Sequence, residues 1–242
     1  MDIRGKGVVV TGGSRGLGAA LGSALAARGA RVVLVAREAS PLEATVKRIR
    51  ASEGEAHGLA EDIGDKTAVH RIAGAAAALV GPIDLLVHNA STLGPVPLRL
   101  LLDTDCEDLE RTLAVNVVGP FRLTKVLAGP MVLRGRGIVV HVSSDAATSA
   151  YPRWGSYGVS KAALDHLNRV WAAELAGTGV RFVSIDPGEM NTRMHADAVP
   201  DADPATLADP SQVAAWIVSF LQHDDRVPSG AKVEAASLEA EP

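Results

Sequence analysis

The sequence predicts an α/β protein built on one doubly wound, parallel β-sheet of about seven strands, with helices on both faces. Short runs of β-branched and aliphatic residues alternate with longer alanine-rich or amphipathic segments, which is the pattern of βαβ units. Hydrophobic residues make up 47% of the 242 residues but aromatic residues only 3%, which favours small side chains packed between helices and a parallel sheet over a β-sandwich. The length suits one domain with a sizeable core.

Charge and cysteine content exclude several classes of function. Basic and acidic residues number 24 and 28, giving a net charge of −4, and they are interspersed, so neither a nucleic-acid surface nor a polybasic membrane patch is predicted. The single cysteine, Cys106, excludes an intramolecular disulfide and a cysteine-rich metal site, and no metal is predicted. The first residues lack the apolar region of a signal peptide, and the uncharged run 73–83 is too short to cross a bilayer. We expect a soluble, cytoplasmic protein.

The first strand, predicted at residues 7–10, leads into a glycine-rich turn and then an alanine-rich helix that ends near Arg28. Glycines allow positive φ and let the backbone approach a ligand, and the free N–H groups at the start of a helix attract phosphate. This strand, turn and helix therefore indicate a site for a cofactor pyrophosphate, rather than a tight turn alone. The predicted binding residues in it are Gly12, Ser14, Arg15, Gly16, Leu17 and Gly18.

The end of the second strand, residues 30–36, bears on which cofactor is bound. A dinucleotide fold that prefers NAD usually has a carboxylate here for the ribose 2′-hydroxyl, whereas this chain has Ala36 and then Arg37. Arg37, together with Arg15, is suited to neutralise a 2′-phosphate. We therefore predict NADP(H) as the preferred cofactor, with NAD(H) possible because Glu38 is close by; the alternative is that both arginines are simply solvated.

The remaining elements continue the alternation. Ser40-Pro41-Leu42-Glu43 reads as a capping box that opens the second helix. Asn116 lies in a long helix just before Gly119-Pro120, where proline is expected to open the hydrogen-bond ladder; a satisfied core asparagine is the simpler interpretation. The other predicted strands are 59–63, 83–87, 137–142, 180–185 and 231–235, and the predicted helices end near residues 52, 80, 127, 176 and 221.

Ligands of such sheets lie at the carboxyl ends of the strands. Asp62, the segment His88-Asn89-Ala90-Ser91 and the pair Ser143-Ser144 fall at those ends. Tyr157 and Lys161 follow on a helix, four residues apart and hence on one face. Residues 195–210, rich in Asp, Ala and Pro, interrupt the regular pattern and suggest an active-site loop.

These motifs together resemble the short-chain dehydrogenase/reductase family in order and approximate spacing, over nearly the whole chain. They are Thr11-Gly12-x-x-x-Gly16-x-Gly18, Asn89-Ala90, Asn116, Ser144, Tyr157-x-x-x-Lys161 and Pro187-Gly188-x-x-x-Thr192. The resemblance implies a single NAD(P)-binding Rossmann-type domain over residues 1–242, with a substrate loop at about 189–210 and a short polar C-terminal tail. It also implies a homotetramer or homodimer assembled through two long helices and the last strand.

The resemblance assigns catalytic roles to four residues. Tyr157 is the general acid in carbonyl reduction and the base in alcohol oxidation, and Ser144 polarises the substrate oxygen. A free phenol has a pKa of about 10, so the ammonium group of Lys161 is expected to favour the phenolate. Asn116 is expected to anchor a water that connects Lys161 to solvent. Further cofactor contacts are implied for Asp62, Ile63, Asn89, Ala90, Ser91, Tyr157, Lys161, Pro187, Gly188, Met190 and Thr192.

One departure concerns Ser91, which stands where the family usually has glycine; serine fits there if its φ is negative. A substrate pocket lined by Leu93, Tyr151, Trp154, Met190, Met194 and His195 is one interpretation of those side chains, and loop or interface packing is the other. His88 is expected to pack at its strand end. The predicted function is NADP(H)-dependent interconversion of a carbonyl and a secondary alcohol of a small to medium organic molecule. Alternatives are a non-catalytic nucleotide-sensing protein, an NAD-preferring dehydrogenase and a methyltransferase.

Overall fold

Seven parallel strands form one sheet in the computed structural model, which describes residues 1–223 and 227–238. In chain order they are β1 (Gly7–Thr11), β2 (Arg31–Ala36), β3 (Glu55–Ala60), β4 (Ile83–His88), β5 (Gly137–Val142), β6 (Val180–Asp186) and β7 (Lys232–Glu234). Their order across the sheet is β3-β2-β1-β4-β5-β6-β7. The winding reverses between β1 and β4, so a crevice opens at the carboxyl ends of these two strands.

Helices cover both faces of the sheet, which confirms the predicted fold class. They are α1 (Gly16–Ala27), α2 (Ala39–Ala51), α3 (Ala68–Val80), α4 (Cys106–Leu113), α5 (Gly119–Leu133), α6 (Gly155–Glu174), α7 (Arg193–Ala198) and α8 (Pro210–His223). One hydrophobic core lies under α1, α2 and α8, and the other under α3, α5 and α6. In β1, Val8 and Val10 face the first core and Val9 the second, as the twofold repeat of a strand requires.

The prediction for the third strand was displaced along the chain. β3 runs from Glu55 to Ala60, residue by residue beside β2, whereas residues 59–63 had been predicted. As an edge strand, β3 has only one fully buried residue, Ala56, and lacks the apolar run that marks the inner strands. Asp62 and Ile63 consequently follow the strand instead of lying at its end.

The predicted capping box at Ser40 was wrong. α2 begins at Ala39, after Glu38, and no side chain caps this helix end. Pro41 is then the third helical residue, where its missing N–H costs nothing because the first four N–H groups of a helix have no partner within it.

The long helix predicted over residues 105–127 is divided. α4 passes through a π-helical turn, Ala114–Val118, directly into α5, which continues past Pro130 to Leu133. Asn116 lies in the π turn. The helix extends beyond the predicted end because Met131, one residue after Pro130, is fully buried in the second core.

The segment predicted to be irregular contains α7 and a short 3₁₀ turn, Pro204–Thr206, and Met190 pairs with Ala208 in an isolated bridge. Ala235–Leu238 form another 3₁₀ turn after β7, and the rest of the predicted tail, residues 239–242, lies outside the described residues. Within residues 1–223 and 227–238, no helix combines the length and apolar character needed to cross a bilayer.

Two histidines are buried side by side in the sheet. His88 in β4 stacks on His141 in β5 with ring centroids 5.1 Å apart. The Nε2 atom of His88 lies 2.8 Å from the Thr124 hydroxyl, and Nδ1 of His141 lies 3.1 Å from the Asn168 amide oxygen. Burial lowers the pKa of His141 to about 4 and that of His88 well below its usual value. His88 therefore packs at the strand end, as predicted, as a neutral core residue.

Candidate active site

A cavity of about 760 Å³ opens at the carboxyl ends of the strands and extends from the glycine turn after β1 to Tyr157 near the start of α6. Most of the predicted site residues line it: Gly12, Ser14, Arg15, Gly16, Leu17, Arg37, Asp62, Ile63, Asn89, Ala90, Ser91, Ser144, Tyr157, Lys161, Pro187, Gly188, Met190 and Thr192. Gly18 and Asn116 do not, and both lie behind the cavity wall. Residues from nearly every strand end thus meet in one space.

The glycine turn is held against β4 by Asn89. The Asn89 amide donates to the main-chain oxygens of Thr11 (3.0 Å) and Gly12 (3.2 Å). Gly12 has φ +68°, and a Cβ there would lie 2.8 Å from the Cα of Ala90. A Cβ on Gly18 would collide with the Gly12 oxygen and the Asn89 amide. Glycine is therefore required at both positions by packing.

The start of α1 fits a dinucleotide phosphate. Its first turn receives no side-chain cap from Arg15, so the main-chain N–H groups there can bind an anion. Gly16, at φ +51°, has only Thr192 within 4 Å of the position that a Cβ would take. The buried Ser91 hydroxyl also lines the cavity and has no hydrogen-bond partner within the protein. Among described non-glycine residues only Glu53 and Arg153 have positive φ, so Ser91 fits with negative φ, as expected.

Three arginines surround one carboxylate beyond the end of β2. Arg15 donates two hydrogen bonds to Glu38, at 3.2 and 2.6 Å, and this pair lowers the pKa of the Glu38 carboxyl, with smaller contributions from Arg193 and Arg37. Arg37 itself is exposed. Arg15 and Arg37, the two arginines predicted to bind a 2′-phosphate, therefore both line the cavity, but Arg15 is already hydrogen-bonded to Glu38.

Tyr157 is buried, with its ring edge-on to Trp154 at 5.7 Å between centroids. Burial raises the pKa of the Tyr157 phenol to about 12; the nearby Ser144 hydroxyl acts in the opposite direction, and the charges of Asp186 and Asp145 add to the increase. The expectation that Lys161 lowers this pKa was wrong for the protein alone. A desolvated phenol without a cation in contact with its oxygen favours the neutral form.

Lys161 is also buried. Its Nζ donates to the Val142 oxygen at 2.7 Å and lies 5.4 Å from the centroid of the Tyr157 ring. Burial lowers the pKa of Lys161 to about 8, against the opposing effect of Asp165 and Asp186. Lys161 therefore remains largely a cation at neutral pH.

Ser144 follows β5 and begins a 3₁₀ turn, Asp145–Ala147, whose Ala146 N–H donates to its hydroxyl at 3.2 Å. The Ser144 hydroxyl donates to Asp145 at 2.9 Å. The neighbouring Ser143 hydroxyl is instead bound to Asp165 at 2.7 Å. The two serine hydroxyls therefore bind different carboxylates, and Ser144 is the one predicted to act on the substrate.

Asn116 connects the π turn to two other segments. Its side-chain oxygen accepts from the Thr92 N–H, and its amide donates to the Thr92 oxygen, both at 2.8 Å, and to the Ser160 hydroxyl at 2.9 Å. Asn116 is therefore a buried core residue whose side-chain oxygen and amide are both hydrogen-bonded, which is the simpler of the interpretations considered from the sequence. The predicted water-anchoring role stays a prediction.

The cavity is also lined by five of the six side chains suggested for a substrate pocket: Leu93, Trp154, Met190, Met194 and His195. Tyr151 is not among them and donates to Asp145 at 2.7 Å. Sequence reasoning missed Asp145, Asp186, Arg193 and Lys232. Asp186 is the last residue of β6 and Asp145 follows β5 by three residues, and this position near strand ends was an available signal; nothing local marked Lys232 or Arg193.

Comparison with known proteins identifies related chains. The family model for short chain dehydrogenases matches residues 6–203. A short chain dehydrogenase from Pseudocercospora fijiensis is 39% identical over 81% of this chain, which spans 63% of that protein. A D-threitol dehydrogenase from Mycolicibacterium smegmatis is 34% identical over 91% of this chain and 86% of its own length. A glycine betaine reductase from Emericella nidulans is 33% identical over 93% of this chain, which spans 18% of that protein.

Solved structures give the same result. A short chain dehydrogenase from Salmonella enterica superposes with a TM-score of 0.87 at 27% identity, covering 97% of both chains. A metagenomic short-chain oxidoreductase in complex with NADP gives 0.82 at 29% identity, again over 97% of both. An NAD⁺-bound xylitol dehydrogenase gives 0.84 at 25% identity, over 97% of this chain and 98% of its own. The chain belongs to the short-chain dehydrogenase/reductase family of oxidoreductases.

Proposed function

We propose that the protein is an NADP(H)-dependent oxidoreductase that interconverts a carbonyl and a secondary alcohol of a small to medium organic molecule. The observation that carries this proposal is that Ser144 and Tyr157 line the same cavity as the glycine turn and the uncapped start of α1. A single-domain organisation over residues 1–242, homo-oligomeric assembly and cytoplasmic location belong to the same proposal.

When bound, the cofactor supplies or accepts the hydride. The glycine turn and the start of α1 would hold its phosphates, with Asp62, Asn89 and Ser91 beside its adenosine and ribose portions. Ser144 donates a hydrogen bond to the substrate oxygen, where negative charge develops during reduction. Tyr157 gives its proton to that oxygen in reduction and takes it back in oxidation. With its pKa raised to about 12, the phenol is in the proton-donating form at neutral pH.

The preference for NADP(H) rests on Arg37 and Arg15, because guanidinium groups bind phosphate with charge and geometry that a hydroxyl does not need. One observation favours the alternative of an NAD-preferring dehydrogenase: Glu38 lies where a carboxylate can bind a ribose hydroxyl, and it is paired with Arg15. Among the related structures, one holds NADP and another NAD⁺.

The proposal is tested by following NADPH oxidation over β-ketoacyl thioesters, ketosteroids, keto sugars, aldehydes and quinones, and NADP⁺ reduction over tetritols and pentitols. The polyols are included because a D-threitol dehydrogenase is among the relatives. We expect turnover with at least one class. Tight NADPH binding without any turnover would favour a nucleotide-sensing protein instead.

Replacing Tyr157 with Phe is expected to lower kcat by about 10²–10⁴-fold, the usual contribution of a general acid, while NADPH binding measured by fluorescence stays within a few-fold. Tyr151→Phe is the matched control, because it removes the only other phenolic hydroxyl and that side chain lies outside the cavity lining. An unchanged kcat in Tyr157→Phe across all accepted substrates would refute the assignment.

A further inference from the structure

Three charged side chains from three elements meet behind Ser144. Lys232 on β7 places its Nζ 3.3 Å from Asp165 on α6 and 3.5 Å from Asp186 at the end of β6. The same Nζ donates to the main-chain oxygen of Ser144 at 2.6 Å. The side chains of Asp165 and Asp186 are only 7% and 10% exposed. Two buried carboxylates thus share one cation.

The ammonium group of Lys232 has as many acceptors nearby as it has N–H donors. An ammonium has three donors, and Lys232 has three acceptors within reach: one carbonyl and two carboxylates. Its bond to the Ser144 oxygen restrains the main chain that carries the Ser144 hydroxyl. Without this cation, both carboxylates would lose their counter-ion while remaining buried, which is costly.

The cluster also adjoins Lys161. Asp165 lies four residues after Lys161 on α6, so the two side chains share a helix face. Asp165 and Asp186 favour the protonated form of Lys161 and raise its pKa, whereas Lys232 lowers it. The other titratable groups acting at this place are His141 on β5 and Asp145 in the 3₁₀ turn after it. Asp145 and Asp186 both raise the pKa of Tyr157.

We propose that Lys232 is a positioning residue for the reaction: it fixes the main chain of Ser144 and balances the charges of Asp165 and Asp186 beside Lys161 and Tyr157. The catalytic part of this inference rests on the proposed function. Lys232 is not among the residues that line the cavity, so it would act through Ser144 and the two carboxylates.

The kinetic test compares Lys232→Met with Lys232→Arg, and with Lys47→Met as a control for loss of an exposed lysine on α2. Lys232→Met is expected to lower kcat about tenfold or more while the cofactor KM changes less than threefold, and Lys232→Arg to recover most of the loss. In alcohol oxidation the acidic limb of the pH profile should move upward in Lys232→Met, because the uncompensated carboxylates oppose the phenolate. A wild-type kcat and pH profile in Lys232→Met would overturn the proposal, even with a lower melting temperature.

A second measurement does not depend on turnover. The chain has six lysines, so protein labelled with [ε-¹³C]lysine gives few signals, and Lys161 is assigned by its loss in Lys161→Met. The titration midpoint of Lys161 is expected at about 8 in the wild-type protein, and it should rise by roughly one pH unit in Lys232→Met and stay unchanged in Lys232→Arg. Adding Asp186→Asn to Lys232→Met should reverse much of the rise, and Lys232→Gln, with the same expected rise, takes the place of Lys232→Met if that variant does not fold. An unmoved midpoint overturns the inference, whereas failure of the wild-type protein to turn over any substrate refutes only the proposed function.

Discussion

At the scale of single residues, we expect the choice between NADP(H) and NAD(H) to depend most directly on Glu38. It occupies the position after Arg37 and holds Arg15 in a two-bond pair, so one of the two predicted phosphate ligands is already bound to an acid in the protein alone. A 2′-phosphate would have to compete with this carboxylate for Arg15 and would also be repelled by it. The 2′-hydroxyl of NAD(H) would neither compete for Arg15 nor be repelled by the Glu38 carboxylate.

Substitutions at this position should therefore move cofactor preference in opposite directions. Glu38→Gln is expected to raise the ratio of kcat/KM for NADPH to that for NADH by about tenfold, because it removes a like charge and frees Arg15, and Arg37→Asp is expected to lower it by at least as much. Glu43→Gln on α2 is the matched control for loss of an exposed negative charge. Equal ratios in all four proteins would contradict a role for these residues in binding the 2′-phosphate.

At the scale of elements, the π turn between α4 and α5 positions a loop of the cavity. Asn116 can reach both main-chain groups of Thr92 because the turn directs it towards the loop after β4. Thr92 lines the cavity, although Asn116 does not. The irregular helix thus fixes part of the cavity wall from behind.

Asn116→Ala should destabilise the protein by about 2–4 kcal/mol, since it leaves the N–H and the oxygen of Thr92 without their partner. Urea unfolding measures this loss. Ser160→Ala removes only one of the three contacts of Asn116 and should cost about 1 kcal/mol. A loss in Asn116→Ala no larger than that in Ser160→Ala would contradict this account.

Local sequence patterns predicted some strands and helices closely and misplaced others. The inner strands were predicted closely because β-branched runs such as Val8-Val9-Val10 are what a strand buried on both faces requires. β3 and the start of α2 were misplaced because an edge strand lacks that run and because Pro41 resembled a first helical residue. Gly119-Pro120 correctly indicated a disturbed ladder, but the extra residue of a π turn depends on tertiary contacts that no local pattern contains.

The residues of the site divide in the same way, into those marked by local motifs and those that only the fold brings together. Tyr157, Lys161 and the glycine turn are local motifs and could be found from spacing. Lys232 and Asp165 are far apart in sequence and meet only because β7 pairs with β6. The direction of the Tyr157 pKa shift was predicted wrongly because spacing gives distance to a charge but not the depth of burial.

At the scale of the whole molecule, we expect the buried His88–His141 pair to lower the free energy of unfolding in acid. The unfolded chain protonates histidine below pH 6.5, whereas His141 in the folded protein resists protonation down to about 4. Their stabilising effect is therefore complete above pH 6.5 and is lost as the pH falls below it. We therefore expect the two histidines to make the fold acid-sensitive in a pH range where most carboxylates are still ionised.

Lowering the pH from 6.5 to 5 should cost about 2 kcal/mol through His141, with His88 adding to the loss. Urea unfolding at a series of pH values checks this. His141→Gln is expected to flatten the dependence in this interval, and His70→Gln, at an exposed position on α3, to leave it unchanged. Identical slopes in wild-type protein and His141→Gln would show that the pair does not control acid stability.

The position of Lys232 also has a consequence for the order in which the molecule is assembled. A chain emerging from the ribosome presents Asp165 and Asp186 before Lys232 has been translated. Until β7 has been made and has docked beside β6, both carboxylates lack their counter-ion and the Ser144 carbonyl lacks its donor. We therefore expect completion of the sheet and neutralisation of the two carboxylates near Ser144 to occur together, late in biosynthesis.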